Sequence, residues 1–240
     1  MSRKHYYLLS MITILLGGLL NTQHSVANAQ CAILQKPFTA AYYGSYKGWR
    51  VDATQKLATL PNRRWQFTLD ANNPVGKINQ QSTFTLDKNQ AIGSERYHHA
   101  QKILIKTTSL ETLFDWKQKQ ANSTRGKSTR TVKLEGGELD ELNYQLALRC
   151  DLLAGKTEFR YNVVDWKRVD ALEFKVVGEQ TLTTELGTLD TVIVKRVRNN
   201  EDRITTLWFA KSLDYQMVKL LQEEKKDTEA YLLYIQSLSK

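Results

Sequence analysis

The sequence predicts a mainly β protein: an antiparallel curved sheet or partly open barrel, with one amphipathic helix (about 138–154) packed on it. Three observations predict this. After residue 37, apolar and polar residues alternate at period two, in segments rich in Thr, Val, Tyr, Phe and Trp. The segments are short and joined by short turn signals, so neighbours pair antiparallel, since parallel strands need long crossovers. One stretch switches instead to spacings of three and four.

Taken in order, the first strand is Phe38–Tyr46. Phe38, Ala40, Tyr42 and Gly44 share one face and Thr39, Ala41, Tyr43 and Ser45 the other, with no charge before Lys47, so both faces read as covered. Asn62–Ala71 carries Trp65, Phe67 and Leu69 at period two, and Ser82, Phe84 and Leu86 repeat the pattern. Phe159, Tyr161 and Val163 alternate with polar residues, as do Leu172, Phe174 and Val176. Ile204, Thr206 and Trp208 alternate with Thr205, Leu207 and Phe209, and Tyr231, Leu233 and Ile235 close the chain. Asn72-Asn73-Pro74, Gly136-Gly137, Leu186-Gly187-Thr188 and Asn199-Asn200 punctuate the segments. In the helical stretch Leu139, Leu142, Leu146, Cys150 and Leu153 form the apolar stripe. Glu138, Asp140 and Glu141 sit where the helix dipole favours acids, and Gly155 stands as C′ residue. Residues 117–133 hold six Lys or Arg and no acid, and read as an exposed loop or long hairpin between two β-rich halves.

The N-terminus reads as an address. Arg3 and Lys4 precede the apolar run Tyr6–Leu20, and Ala27-Asn28-Ala29 fits signal-peptidase cleavage after Ala29. A retained membrane anchor is the alternative, although the run falls short of the ~20 residues of a span. Cys31 is not placed as a lipidated residue, because Gln30 and Asn28 stand before it. The expectation is a secreted or periplasmic protein: a signal peptide, 1–29, and one β-rich domain, 30–240. Cleavage leaves 211 of the 240 residues and a net charge of about +7 in place of +9. An oxidising compartment favours a Cys31–Cys150 disulfide, with two separate thiols as the alternative.

Composition excludes several classes. With 41% apolar residues, 3 Pro and 12 Gly, the chain is neither collagen-like nor low-complexity, and two Cys cannot build a four-Cys zinc site. His98 and His99 are adjacent, so on a strand they face opposite ways and share no metal. No phosphate loop, nucleophile elbow or HExxH occurs, and the sequence calls for no cofactor and no metal. A carboxylate pair stays open as a catalytic device, with Asp165/Glu173 and Asp202/Asp214 as guesses. Arg63-Arg64-Trp65 and Lys195-Arg196-Val197-Arg198 read either as solvated strand faces or as sites for an anion. Behind a leader that anion is lipid, lipopolysaccharide or cell-wall polymer, not nucleic acid.

The second half carries Leu152-Leu153-Ala154-Gly155-Lys156, Val177-Gly178-Glu179, Leu186-Gly187-Thr188, Thr206-Leu207-Trp208-Phe209-Ala210 and Leu213-Asp214-Tyr215. With Phe38-Thr39-Ala40, Tyr46-Lys47-Gly48 and Phe114-Asp115-Trp116, these resemble the exported bacterial family known as domain of unknown function 3108, from about Pro37 to Leu238. Position 211 is Lys where the family pattern has proline. The resemblance implies an envelope location and offers no catalytic residues.

The reading is therefore a periplasmic binding or accessory protein that holds an apolar or amphiphilic envelope molecule, with catalysis left open. Trp65, Phe67, Trp208, Phe209, Leu139, Leu142 and Leu146 are its candidate ligand wall. The alternatives are an envelope scaffold that binds another protein and a carboxylate-based hydrolase of envelope polymers.

Overall fold

Alternating segments become strands because alternation sends one face to a core and the other to water. In a computed structural model that describes residues 31–199, 202–225 and 230–240, the alternating stretches form fourteen strands. The expected leader, 1–29, lies outside the described residues. β1 (Phe38–Tyr46), β2 (Trp49–Leu60), β3 (Arg64–Asn73), β4 (Gly76–Leu86), β5 (Ile92–Ile103), β6 (Lys106–Asp115), β7 (Gln120–Arg125) and β8 (Ser128–Lys133) run as one meander. α1 (Tyr144–Leu153) follows. β9 (Glu158–Val164), β10 (Val169–Thr184), β11 (Gly187–Val197), β12 (Arg203–Ala210), β13 (Gln216–Glu224) and β14 (Tyr231–Ser239) form a second meander. All neighbours are antiparallel, and β1 pairs with β14 from Thr39↔Ser239 to Ser45↔Leu232, which joins the two meanders into one sheet. The basic stretch 117–133 is the β7–β8 hairpin.

The sheet curls until its edges nearly meet. Leu139 pairs with Val163 of β9 in a parallel bridge, donating to Asn162 O (2.9 Å) and accepting from Val164 N–H (2.9 Å). On the other side the Leu134 N–H donates to Lys119 O (2.9 Å), and Ala121, Leu134 and Val164 form a small buried cluster across the gap. The outer face of β1 is only half-buried, so this strand is covered fully on one side and not on both. At the seam Gly44 is obligatory: a Cβ there would lie 1.8 Å from Leu232 O.

The helix is shorter than its periodicity predicts. Residues 138–143 leave the helical path because Leu139 is drawn into the bridge to β9 and Asp140 organises a turn. The expected acids therefore do not sit in the first helical turn. Glu138 instead accepts the N–H groups of Glu135 (2.8 Å) and Gly136 (2.9 Å). The C-terminus ends on Gly155 at φ +77°, whose N–H reaches Leu152 O (3.0 Å), while Lys156 N–H reaches Asp151 O (3.0 Å). α1 lies against the concave face, with Tyr144 stacked on Phe174 and the Arg149 guanidinium 4.9 Å from the centre of the Phe38 ring.

In a meander, alternate turns fall at the same end. One end, here the base, holds the β2–β3, β4–β5 and β6–β7 turns, the α1 C-terminus and the 3-10 turn Ala32–Gln35. Cys31 and Cys150 form a disulfide there (S–S 1.99 Å, Cα–Cα 5.4 Å, 119 residues apart). The other end, the mouth, holds the β1–β2, β3–β4, β5–β6, β7–β8 and β11–β12 turns.

Two outcomes test this arrangement. Cys150→Ala should lower unfolding free energy by about 4 kcal/mol relative to oxidised wild type, measured in denaturant, and reduced wild type should fall to the level of the variant. Gly44→Val should cost more than the usual ~1–3 kcal/mol of overpacking, because the clash is with backbone, and should show as loss of soluble folded protein.

Candidate functional site

The base of the curled sheet is filled and the mouth is not. A cavity of about 540 Å³ opens at the mouth, walled by inward residues such as Val51, Leu69, Ala71, Ile78, Ile103 and Tyr231, with Gln80, His99, Gln101 and Gln222 among them. That volume suits a small-molecule ligand. Below it a smaller space of about 140 Å³ lies between α1 and β10–β13. Arg203 and Gln222 line both.

Arginines dominate the junction. Val192, Val194, Arg196 and Arg198 occupy alternate positions of β11 and its end. The two arginines continue the inward face and line the smaller space. Arg198 Nη1 donates to Arg203 O (3.0 Å) and Thr205 Oγ1 (3.2 Å), and Arg203 pairs with Glu224 (2.5 Å). Burial first, then repulsion from Arg196 and Arg203, pulls the Arg198 pKa down to about 10. Deeper in, Arg149 donates to Asp214 O (3.2 Å), and burial lowers its pKa to about 10. Among the described residues Arg149 Nε and Gln216 Oε1 are buried without a partner, and both residues line the smaller space. Orphaned polar atoms in side chains that line a small space mark it as a place for water or a polar ligand group.

A second polar cluster holds the turn before α1. Asp140 accepts from Ser82 Oγ (2.5 Å) and from the N–H groups of Leu142 (2.9 Å) and Asn143 (2.8 Å), while Asn143 Nδ2 donates to Ser94 Oγ (2.9 Å). These bonds pin the helix to β4 and β5. Burial pushes Asp140 up to about 6 although its donors pull the other way. Glu141 is pushed up to about 7 by burial and then by the neighbouring Asp165 carboxylate. Tyr97 OH bridges Glu141 Oε2 (3.4 Å) and His99 Nδ1 (3.4 Å), and Gln80 Nε2 lies 3.3 Å from the same nitrogen. The chain thus runs from Glu141 to the cavity wall.

The sequence-predicted site residues scatter. Phe67, Leu146 and Phe209 line the smaller space. Trp208 turns to the other face, donating to Gln180 Oε1 (2.8 Å) beneath Lys219. Trp65 packs at the edge of the core, Leu139 is taken by the bridge to β9, and Leu142 is fully buried. None of the seven lines the larger cavity. His99 faces the cavity, while its neighbour His98 sits opposite Glu111. Asp165 partners Glu141 rather than Glu173, which pairs with Arg160, and Asp202 and Asp214 lie at opposite ends of the barrel. Among the described residues no His, Cys, Asp and Glu cluster fits a metal. Of the family landmarks, Leu152, Leu153, Ala154, Gly155 and Lys156 end α1 at the base. Asp214 and Tyr215 take φ +55° and +51°, with the Asp214 carboxylate on Lys240 (2.7 Å). Lys211 opens the 3-10 turn Lys211–Leu213 and pairs with Glu179 (2.6 Å).

The two raised carboxyls set a pH dependence. Both bind protons more tightly folded than unfolded, so their contribution to stability is full at low pH and is lost as pH rises through about 6 to 7. His99, held below its ordinary value by burial and Arg125, acts in the opposite sense under pH 6.5. Thermal midpoints of wild type minus those of Glu141→Gln should therefore fall between pH 5 and pH 7.5; a flat difference contradicts the assignment.

No curated protein matches the chain. One family model does, over residues 39–233, which run from the second residue of β1 to the third of β14 and include the whole of α1. The chain therefore belongs to the family described as protein of unknown function DUF3108.

Proposed function

We propose that the protein is an exported, periplasmic carrier or accessory protein that holds an acid-headed amphiphile inside its curled sheet. The observation that carries the reading is the mouth cavity of about 540 Å³, apolar along Val51, Leu69, Ala71 and Ile78 and bordered on one side by Arg203. The apolar chain lies along that wall, and the acid head meets Arg196, Arg198 and Arg203 where the two spaces adjoin. Of these three guanidiniums only Arg203 has a carboxylate partner among the described residues, Glu224, so an incoming carboxylate or phosphate relieves repulsion as well as forming charge-assisted bonds. Export is supported by the leader pattern of residues 1–29 and by the disulfide, which persists in oxidising compartments.

Protein recovered from the envelope fraction should show the mass of the chain from Gln30 and retain an acidic amphiphile under native mass spectrometry. In solution it should take up a fluorescent fatty acid. Ala71→Trp, which fills the cavity, should weaken uptake at least about tenfold. Arg198→Gln should weaken the acid probe about tenfold while sparing its alcohol analogue. A wild-type protein that is empty and takes up neither probe overturns the reading.

A further inference from the structure

The exposed apolar side chains gather at the mouth. Of nine large apolar residues exposed among the described residues, six fall on mouth turns or the strand ends beside them: Trp49, Ile103, Leu104, Ile105, Val197 and Ile204. Three are consecutive, with relative exposures of 50% at Ile103, 67% at Leu104 and 98% at Ile105. Leu104 and Ile105 are the two-residue connection of the β5–β6 hairpin, since Ile103 pairs with Lys106. Asn, Asp and Gly are the residues that such a connection favours. Leu104 instead holds φ +52°, a conformation that is costly for a leucine. Solvation and backbone preference both argue against this pair of residues, so something other than folding accounts for them.

Their surroundings identify the partner. Lys102 and Lys106 flank the tip, and Lys77 is the cross-strand partner of Lys102. No acid occurs between Asp70 and Asp87 or between Glu95 and Glu111, so this whole section of the mouth is cationic and apolar together. Lys127 at the β7–β8 turn adds to it from the same end. Three tip side chains offer far less than the ~1,000 Å² that a stable protein interface needs. They suit shallow entry at a lipid headgroup boundary, with lysines against lipid phosphates.

We propose that the mouth docks on an anionic lipid bilayer, with Leu104 and Ile105 entering the headgroup boundary and Lys77, Lys102 and Lys106 meeting the phosphates. Docking turns the cavity opening, which Ile103 borders, toward the membrane. This goes beyond the carrier reading and does not depend on it. The vesicle measurement uses no cavity ligand, and the uptake measurement uses no vesicle, so each can fail alone.

The test is vesicle co-sedimentation of the chain as cells produce it. Its N-terminus is read by mass, so that any binding by residues 6–20 is common to all variants. Vesicles of phosphatidylcholine with about one-third phosphatidylglycerol should bind it at least about tenfold more strongly than phosphatidylcholine alone, with the excess lost at high salt. Ile105→Asp should lose at least about tenfold, and each of Lys102→Gln and Lys106→Gln about fivefold on the anionic vesicles only. Leu113→Asp, an exposed apolar site away from the mouth, should bind as wild type. Circular dichroism checks each variant's fold, which a residue as exposed as Ile105 does not support. Unchanged binding by Ile105→Asp, or equal binding to both vesicle types, overturns the proposal. So does a solution dimer that Ile105→Asp dissociates, since the tip would then join two copies of the chain.

Discussion

Filling the concave side of a fourteen-strand sheet is the constraint on which the rest of this structure depends. About eight strands close around an interior that their own side chains fill; with more strands a lumen opens. Here the lumen is occupied by α1 over its lower half only. The helix supplies Leu146, Leu148 and Leu152, and the turn before it Leu142, to a core that the strands cannot complete alone. A ten-residue helix spans ~15 Å, well short of strands such as the twelve-residue β2 and β5. The mouth cavity is what remains, so its presence follows from a length mismatch between plug and sheet.

A helix inside a sheet has no sequence neighbour to fix its position, and three ties supply that. The disulfide holds its C-terminal half to the segment before β1. Asp140 and Asn143 hold the turn before it to Ser82 and Ser94. Arg149 lies between Phe38 and Asp214 O. The last two bury polar groups that leucine would replace at lower desolvation cost, but an all-apolar plug would have many equivalent seatings. A buried carboxylate that needs Ser82 and two N–H donors has one. The cost is visible in the pKa of Asp140, held near 6 despite three donors.

What the sequence made legible was local. Alternation found β1 to the residue, because one face of that strand carries Phe38, Ala40 and Tyr42 whatever its neighbours are. It overextended α1, because Leu139 keeps helical spacing while its backbone is claimed by Val163, a partner twenty-four residues on that periodicity does not register. The three acids before the helix were read as complements to its dipole. Their number was the signal missed, since one acid suffices at an N-terminus and three in four residues point to other duties. Arg196 and Arg198 looked like part of a surface patch when read as a run with Lys195. Read by parity they continue the face of Val192 and Val194, which is the face that lines the interior. Trp208 and Phe209 could not be sorted between faces locally, since both sit in a continuous apolar run. The cavity was beyond local pattern altogether, because its volume depends on strand number and on how nearly the edges meet.

The asymmetry of the two ends ties these points together. At the base, Lys36 and Lys240 both approach Asp214, the disulfide closes over the helix, and the lumen is filled. At the mouth, cations outnumber acids, apolar tips stand in water, and the lumen is open. A sheet that needed only to be stable would have no reason to place Leu104 at positive φ in a turn, or to point Arg196 and Arg198 inward with so few acceptors. Both departures cost folding free energy, and both occur toward the same end. Local rules broken together, around one opening, are the mark of a surface shaped by what it meets.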